Sequence, residues 1–269
     1  MDVVETVTGA EKLAVVRITE GIRSDVEDLV VKEAPLTIVL DNQELVTMQC
    51  SPIDLKHLAV GFLFSEGFLK SKEEIKKVVV DDRKGIAWVE TMEGKEVDAG
   101  VLSKRLITSG CGRGASFYSL ADAQLGMRIE SRFQMLASDV LALVGQFQHG
   151  SELHKTTHGV HSAALCDGHK IVMFADDIGR HNAIDKIVGR CILTDVPSEN
   201  HALMFTGRIS SEMLLKAARR GFPVVISVAS PTNVAVRMAN DMGMTVVGMV
   251  RGKKMNIYSG AWRIVTDEG

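Results

Sequence analysis

The sequence predicts an α/β fold in two parts. Residues 1–109 read as a smaller, strand-rich α+β unit, and residues 110–269 as a sheet covered by helices on both faces. Three observations carry this. Beyond residue 160, short runs of Val, Ile and Met alternate with helical segments of about ten residues, the pattern of strands buried on both sides. Polar, glycine-containing stretches sit where those strands pass into helices. The first third instead holds β-branched segments around a single apolar helical stripe. With 269 residues, 46% of them hydrophobic and 24% charged, the chain has an ordinary globular profile.

In chain order, residues 13–19 and 36–40 have strand composition. Asp41-Asn42-Gln43 reads as a turn into a strand at 45–49, giving a hairpin. Ser51-Pro52-Ile53-Asp54 reads as a helix start, with serine as cap, proline in the first turn and an acid three residues on. Leu55, Leu58, Ala59, Phe62 and Leu63 then form the stripe, and Gly67 ends it. Strands follow at 75–80 and 86–91. Ser138 is placed to cap a helix running to Phe147. Strands at 161–166 and 170–174 flank an Asp167-Gly168 turn. The rest alternates: helix 182–191, strand 202–205, helix 210–220, strand 223–228, helix 232–242, strand 245–250.

Net charge is −3, which argues against an extended nucleic-acid surface. No apolar run is long enough to cross a bilayer, and the acidic, polar start of the chain lacks the pattern of a secretory signal. A cytoplasmic location is expected. The four cysteines, Cys50, Cys111, Cys166 and Cys191, have no metal-ligand or disulfide-framework spacing, so their expected state is free thiol.

One of them differs from the rest. Cys111 lies in Thr108-Ser109-Gly110-Cys111-Gly112-Arg113-Gly114, among three glycines and beside an arginine. Glycines leave the sulfur little steric cover, and a neighbouring cation favours the reactive thiolate. On local sequence this is either a reactive thiol or a glycine-rich turn with an incidental cysteine.

Several other stretches suit a polar ligand. Asp176-Asp177-Ile178-Gly179-Arg180-His181-Asn182 packs two acids, an arginine, a histidine and an asparagine into one strand-to-helix corner, more than capping needs. Thr206-Gly207-Arg208-Ile209-Ser210-Ser211 is a second corner. Its glycine allows close backbone approach, Arg208 matches phosphate and Ser210 can cap; anion binding and simple capping both remain open. Ser230-Pro231-Thr232 is a third. Met249, Val250, Arg251, Gly252, Lys253 and Lys254 end the last long strand with three cations around a glycine, suited to pyrophosphate or to a solvated face. His154, His158 and His161 have helical spacing, but Gly159 interrupts them and no carboxylate or cysteine completes a zinc set. A polar wall is the better reading.

The runs from Asp177 to Lys186 and from Thr206 to Met213, with Ser230-Pro231-Thr232 and Ala59-Val60-Gly61-Phe62-Leu63-Phe64-Ser65-Glu66-Gly67, resemble the FdhD family, the accessory sulfurtransferases of formate dehydrogenase. The resemblance spans most of the chain in the same order. It implies a carrier that accepts sulfur from a cysteine desulfurase as a persulfide. The sulfur then passes to the molybdenum or tungsten bis(molybdopterin guanine dinucleotide) cofactor, a bound substrate, before that cofactor enters formate dehydrogenase. Cys111 falls on the family's persulfide position, and Met249, Val250, Arg251, Gly252, Lys253 and Lys254 on its cofactor-binding segment. Many members carry a second cysteine where this chain has Gly114. The C-terminal part is expected to be a three-layer α/β/α domain with a mixed sheet, like the cytidine deaminase fold. Deaminase chemistry does not carry over: His161-Ser162-Ala163 lacks the catalytic Glu, and no Pro-Cys-x-x-Cys follows.

On this reading Arg113 and Arg105 stabilise the anionic sulfur. Gly207, Arg208, Ser210, Asp177 and Arg180 join the cofactor-binding set, and His181, His158 and His161 are candidate assisting residues. No permanently bound metal is expected, and a homodimer is. Two other readings are a cofactor chaperone that never touches sulfur and a metal-dependent hydrolase built on His154, His158 and His161.

Overall fold

The computed structural model describes residues 7–94, 106–107 and 127–266. The chain begins with a two-stranded ribbon, β1 (Ala10–Thr19) and β2 (Ile22–Val31). β2 was not anticipated, because its apolar residues are interleaved with Arg23, Asp25, Glu27 and Asp28 and show little strand signal. β3 (Ala34–Leu40) and β4 (Gln43–Cys50) form the expected hairpin. Helix α1 (Leu55–Ser65) follows, then β5 (Ile75–Asp81), β6 (Ile86–Thr91) and the short β7 (Leu106–Ile107). These strands make one five-stranded sheet in the order β5-β6-β3-β4-β7, and α1 closes its core over Leu36, Ile38 and Val89.

α1 starts later than the sequence suggests. Its N-cap is Asp54, left-handed at φ 55, with no side-chain cap bond, and Ser51 lies outside it. The reason is a long-range claim on Ser51, whose amide and hydroxyl are both bonded to residues 177 and 178.

The second part runs β8 (Met135–Leu136), α2 (Ala137–Gln148), α3 (Glu152–Thr157), β9 (His161–Cys166), β10 (Ile171–Asp177), α4 (Arg180–Leu193) and β11 (Ala202–Phe205). It continues with α5 (Ser211–Arg220), β12 (Val224–Ser227), α6 (Asn233–Asp241), β13 (Thr245–Arg251), β14 (Lys254–Ser259) and β15 (Ile264–Val265). Ser138 does not cap α2, which begins one residue earlier behind Leu136 without a side-chain cap. Ser210 and Thr232 do cap α5 and α6, accepting from the amides of Met213 and Ala235.

The central sheet has six strands in the order β10-β9-β11-β12-β13-β14, with β11, β12 and β13 parallel and the rest antiparallel. Alternate residues of each strand face opposite layers. Ala163, Leu203, Phe205 and Val225 pack beneath α4, α5 and α6. Ala164, Met204, Val224 and Ile226 pack against α2 through Val140, Leu143 and Phe147. The result is a helix–sheet–helix sandwich. Among the described residues no helix is long and apolar enough to cross a membrane.

The two sheets are joined by α1 lying against α4. The helices meet at two glycines. A Cβ on Gly61 would stand 1.8 Å from the carbonyl oxygen of Asp185, and one on Gly189 1.9 Å from that of His57. No side chain fits at either point, so the backbones come into direct contact.

Candidate functional site

Strand register brings the sequence-predicted corners to one edge of the six-stranded sheet. Asp177, at the end of β10, pairs with His161, and Phe205 with both Ala163 and Ser227. The loops after β11 and β12 are zipped together: Ile209 donates its amide to Ser230 (3.2 Å) and accepts from Thr232 (2.9 Å). Ser227 Oγ donates to the Gly207 carbonyl at 2.7 Å, and the Met249 amide donates to Ala229 at 3.1 Å. Such an edge, where parallel strands end and helices begin, is the usual ligand crevice of an open α/β sheet.

At its centre stand His161, Arg180, His181, Thr206, Gly207 and Glu212. Gly207 has φ +89, and a Cβ there would meet Arg180 Cδ at 3.3 Å, with the His161 ring at 3.7 Å. Nδ1 of His161 lies 2.9 Å from Thr206 Oγ1, which also accepts the Ser162 amide at 3.1 Å. Burial, reinforced by the Arg180 charge, holds the His161 imidazole below its ordinary pKa and favours the neutral ring. Nε2 of His181, in the first turn of α4, is 3.2 Å from Glu212 Oε2 in the first turn of α5. That contact keeps the Glu212 carboxyl below the usual range. Arg208 is exposed beside the capped start of α5. Two capped helix N-termini, α5 and α6, thus flank a glycine and two arginines, an arrangement suited to anionic oxygens.

Asp177 belongs to the same corner but lies beneath it. It is 0% exposed and accepts from the Gly179 amide (2.8 Å), Asn182 Nδ2 (2.9 Å), the Ser51 amide (3.1 Å) and Lys186 Nζ (2.7 Å). Its oxygens are used within the protein. Asn182 belongs to the corner the sequence predicts, whereas Lys186 has no role of its own there. Its signal was three polar residues, Asn182, Asp185 and Lys186, set among the buried Ala183, Ile184, Ile187 and Val188.

The basic stretch lies at the other end of the edge. Met249 takes a left-handed φ of 55, Val250 is buried, and Arg251 pairs with Lys254 across a turn containing Gly252 (φ 58). Arg251, Gly252, Lys253 and Lys254 are exposed at the tip of the β13–β14 hairpin. From β9 to β13 is three strand spacings, about 14 Å, so a ligand touching both ends must be elongated.

The histidines do not form one cluster. His154 is on α3, His158 is its exposed left-handed C-cap (φ 50), and His161 opens β9. The His154 and His158 rings meet edge-on at 5.4 Å, and His154 Nδ1 is 3.2 Å from the Val160 carbonyl. Among the described residues no three His, Cys, Asp or Glu side chains are placed to hold a metal.

Cys111, Arg113 and Arg105 lie outside the described residues. The other three cysteines are buried free thiols. Burial raises Cys50 and Cys166 to about 12 and Cys191 to about 11, so all three stay protonated at neutral pH.

Comparison with known proteins matches residues 31–265 to the model of the FdhD/NarQ family. A sulfur carrier protein FdhD of Bacillus pumilus (strain SAFR-032) is 44% identical over 237 residues, 88% of this chain and 90% of that one. The protein of the same name from Bacillus subtilis (strain 168) is 40% identical over 248 residues, 92% and 95% of the two chains. A crystal structure from Desulfotalea psychrophila, described as a formate dehydrogenase accessory protein, superposes with a TM-score of 0.79 at 26% identity, over 95% of this chain and 99% of that one.

Proposed function

The chain belongs to the FdhD/NarQ family, and from that premise we propose that it is a sulfur carrier. Cys111 takes sulfur from a cysteine desulfurase as a persulfide. The protein then hands that sulfur to a bis(molybdopterin guanine dinucleotide) cofactor of molybdenum or tungsten, bound as substrate and destined for formate dehydrogenase.

One observation carries the reading. β7 runs parallel to β4, with Ile107 beside Met48. β4 leads straight to Ser51, whose amide and hydroxyl are bonded to the Asp177–Ile178 corner. β7 therefore runs towards the end of its sheet that lies at the anion-ready edge. Cys111 is four residues beyond Ile107, at most about 14 Å of chain. Among the described residues Cys50, Cys166 and Cys191 are buried, and the length of chain from Ile107 allows Cys111 to reach the edge where an anionic substrate fits.

The edge suits that substrate. Its guanine dinucleotide arms carry pyrophosphates, which Arg208, Arg180 and the capped starts of α5 and α6 would hold at one end, and Arg251, Lys253 and Lys254 at the other. In loading, the Cys111 thiolate attacks the outer sulfur of the donor's persulfide. A new S–S bond forms at Cys111, the donor's S–S bond breaks, and the donor cysteine leaves as thiolate. In delivery the S–S bond at Cys111 breaks with its electron pair left on Cys111, which is released as thiolate, while the outer sulfur bonds to the substrate. A two-electron reductant of the thiol class takes that sulfur to the sulfide level, and His181 or His161 at the edge can protonate the released thiolate. The assay is direct: after incubation with a cysteine desulfurase and cysteine, the intact mass should rise by one sulfur atom in wild type and not in Cys111→Ala. An equal adduct on both sinks the reading.

A further inference from the structure

The candidate edge and the root of the cysteine segment belong to different sheets. Sulfur delivery requires them to be held in a fixed relation, and one buried carboxylate stands between them. Asp177 accepts the Gly179 amide, which sets the turn presenting Arg180 and His181. It also accepts the amide of Ser51, at the end of β4. Lys186 bonds Asp177 and reaches on to the carbonyls of Asp176 (2.8 Å) and Ser51 (3.3 Å). Asn182 bonds Asp177 with one side-chain amide that also donates to the Gln49 carbonyl at 2.9 Å. The Ile178 amide donates to Ser51 Oγ at 3.1 Å. The end of β4, which carries β7 on its flank, is thus bonded to the corner at Gln49 and at Ser51.

We infer that the Asp177–Lys186 pair, with Asn182 and Ser51, is the positioning device that fixes the root of the cysteine segment against the anion-binding edge, so that sulfur delivery depends on it and sulfur uptake does not. The inference rests on the sulfur-carrier reading for its purpose but not for its geometry. Stability alone is a poor account of the pair. Burying two charges costs several kcal/mol, about what the pairing returns, and apolar residues of like volume often serve as well. What an ion pair adds is direction, since each of its bonds specifies a backbone position. A second buried network supplies the control. Lys216 bonds Asp185 (2.8 Å) and Glu66 (3.3 Å), and Ser65 donates to Asp185 (2.6 Å), also between α1 and α4 but away from the strand ends.

The test uses the full chain carrying Arg180→Cys. A mild thiol oxidant should form a disulfide between positions 111 and 180, read by peptide mapping without reduction. Adding Asp177→Asn with Lys186→Met should slow that bond about tenfold, as the effective concentration of the two thiols falls. Adding Asp185→Asn with Lys216→Met should leave it unchanged. Ser51→Ala, a milder change that keeps the ion pair, should give a smaller slowing and covers the case in which the double variant fails to fold. In parallel, sulfur loading of Cys111 in the four-cysteine protein should be equal with and without the Asp177/Lys186 changes. No 111–180 bond in the parent, or equal rates in all folded variants, overturns the inference. Absence of sulfur on wild-type Cys111 overturns the carrier reading and leaves the cross-link result standing.

Discussion

Two lysines, Lys186 and Lys216, on adjacent helices, each neutralise a buried aspartate, yet they do different things. Lys186 and Asp177 are 1% and 0% exposed and, apart from the Asn182 side chain, bond backbone groups: amides of Ser51 and Gly179, carbonyls of Ser51 and Asp176. Lys216 and Asp185 are surrounded by side chains of helical residues, Ser65 among them, and by Glu66 at the end of α1. There Asp185 and Glu66 outweigh the burial penalty and hold Lys216 above its ordinary pKa. The first pair dictates the path of a loop and a strand end. The second fixes how three helices sit together. Similar chemistry therefore yields a site support in one place and a packing clamp in the other, according to whether backbone or side chains complete it.

The largest effect should come from removing the contact both networks depend on. Gly61→Ala would put a methyl group 1.8 Å from the Asp185 carbonyl. Neither backbone can yield without separating α1 from α4. We expect a loss of about 4 kcal/mol or more, seen as a collapse of the thermal melting temperature. A near-wild-type melt would mean that the two helices are not locked, and the comparison between the networks would lose its basis.

Next in size are the single lysine replacements. Lys186→Met and Lys216→Met each strand a buried carboxylate and should cost about 3–5 kcal/mol in urea unfolding. The networks should then part company on repair. Asp185→Asn in the Lys216→Met background should recover much of the loss, because packed helices tolerate an apolar substitute. Asp177→Asn should recover less, because an amide cannot accept from three N–H donors with both of its atoms. Equal recovery would show that the two pairs are interchangeable clamps.

How much of this could be read beforehand depends on the range of the interaction. The strands of the central sheet announce themselves by runs such as Val224, Val225 and Ile226, and Ser210 and Thr232 announce their helices by local capping. The gathering of four corners at one edge followed from the alternation of strands and helices. What failed was long-range. Ser51 has every local mark of a helix cap, and it loses that role to partners 126 and 127 residues away. Gly61 and Gly189 look like unremarkable helix glycines until their two backbones meet. Asp177 was legible as a site residue by its neighbours, but its full burial was not, because its donors come from β4, the turn and α4 together.

Cys50 reports on the first network alone. Its thiol is pushed up to about 12 by burial and then by the Asp177 charge, against the pull of Lys186. Native alkylation near pH 8 should modify Cys111 quickly and leave Cys50, Cys166 and Cys191 unmodified until the protein unfolds. In Asp177→Asn/Lys186→Met the loosened strand end should open locally, and Cys50 labelling should rise about tenfold while Cys166 and Cys191 do not change. The Asp185→Asn/Lys216→Met protein should show no such rise at Cys50. Uniform labelling of all buried thiols would point to global loosening instead of a local support.

The smallest expected effect is at His161, which feels the first network through charge. Burial and Arg180 depress its pKa, and Asp177 opposes them. A depressed histidine favours the folded state while neutral. Its contribution is present above the unfolded value of about 6.5 and is lost as pH falls through the folded value, because the unfolded chain takes up the proton first. Replacing Asp177 and Lys186 removes the Asp177 charge, which raises the His161 pKa, so the folded value should drop further and acid sensitivity should widen. Between pH 7 and pH 5 the melting temperature of Asp177→Asn/Lys186→Met should fall by about 2 °C more than that of wild type. Adding His161→Asn should cancel the difference. The Asp185→Asn/Lys216→Met protein should track wild type over the same range, since its changes lie between α1, α4 and α5, away from the strand end that carries His161. If its acid sensitivity widened equally, the two networks would be electrostatically equivalent at the edge, and their distinction would rest on geometry alone.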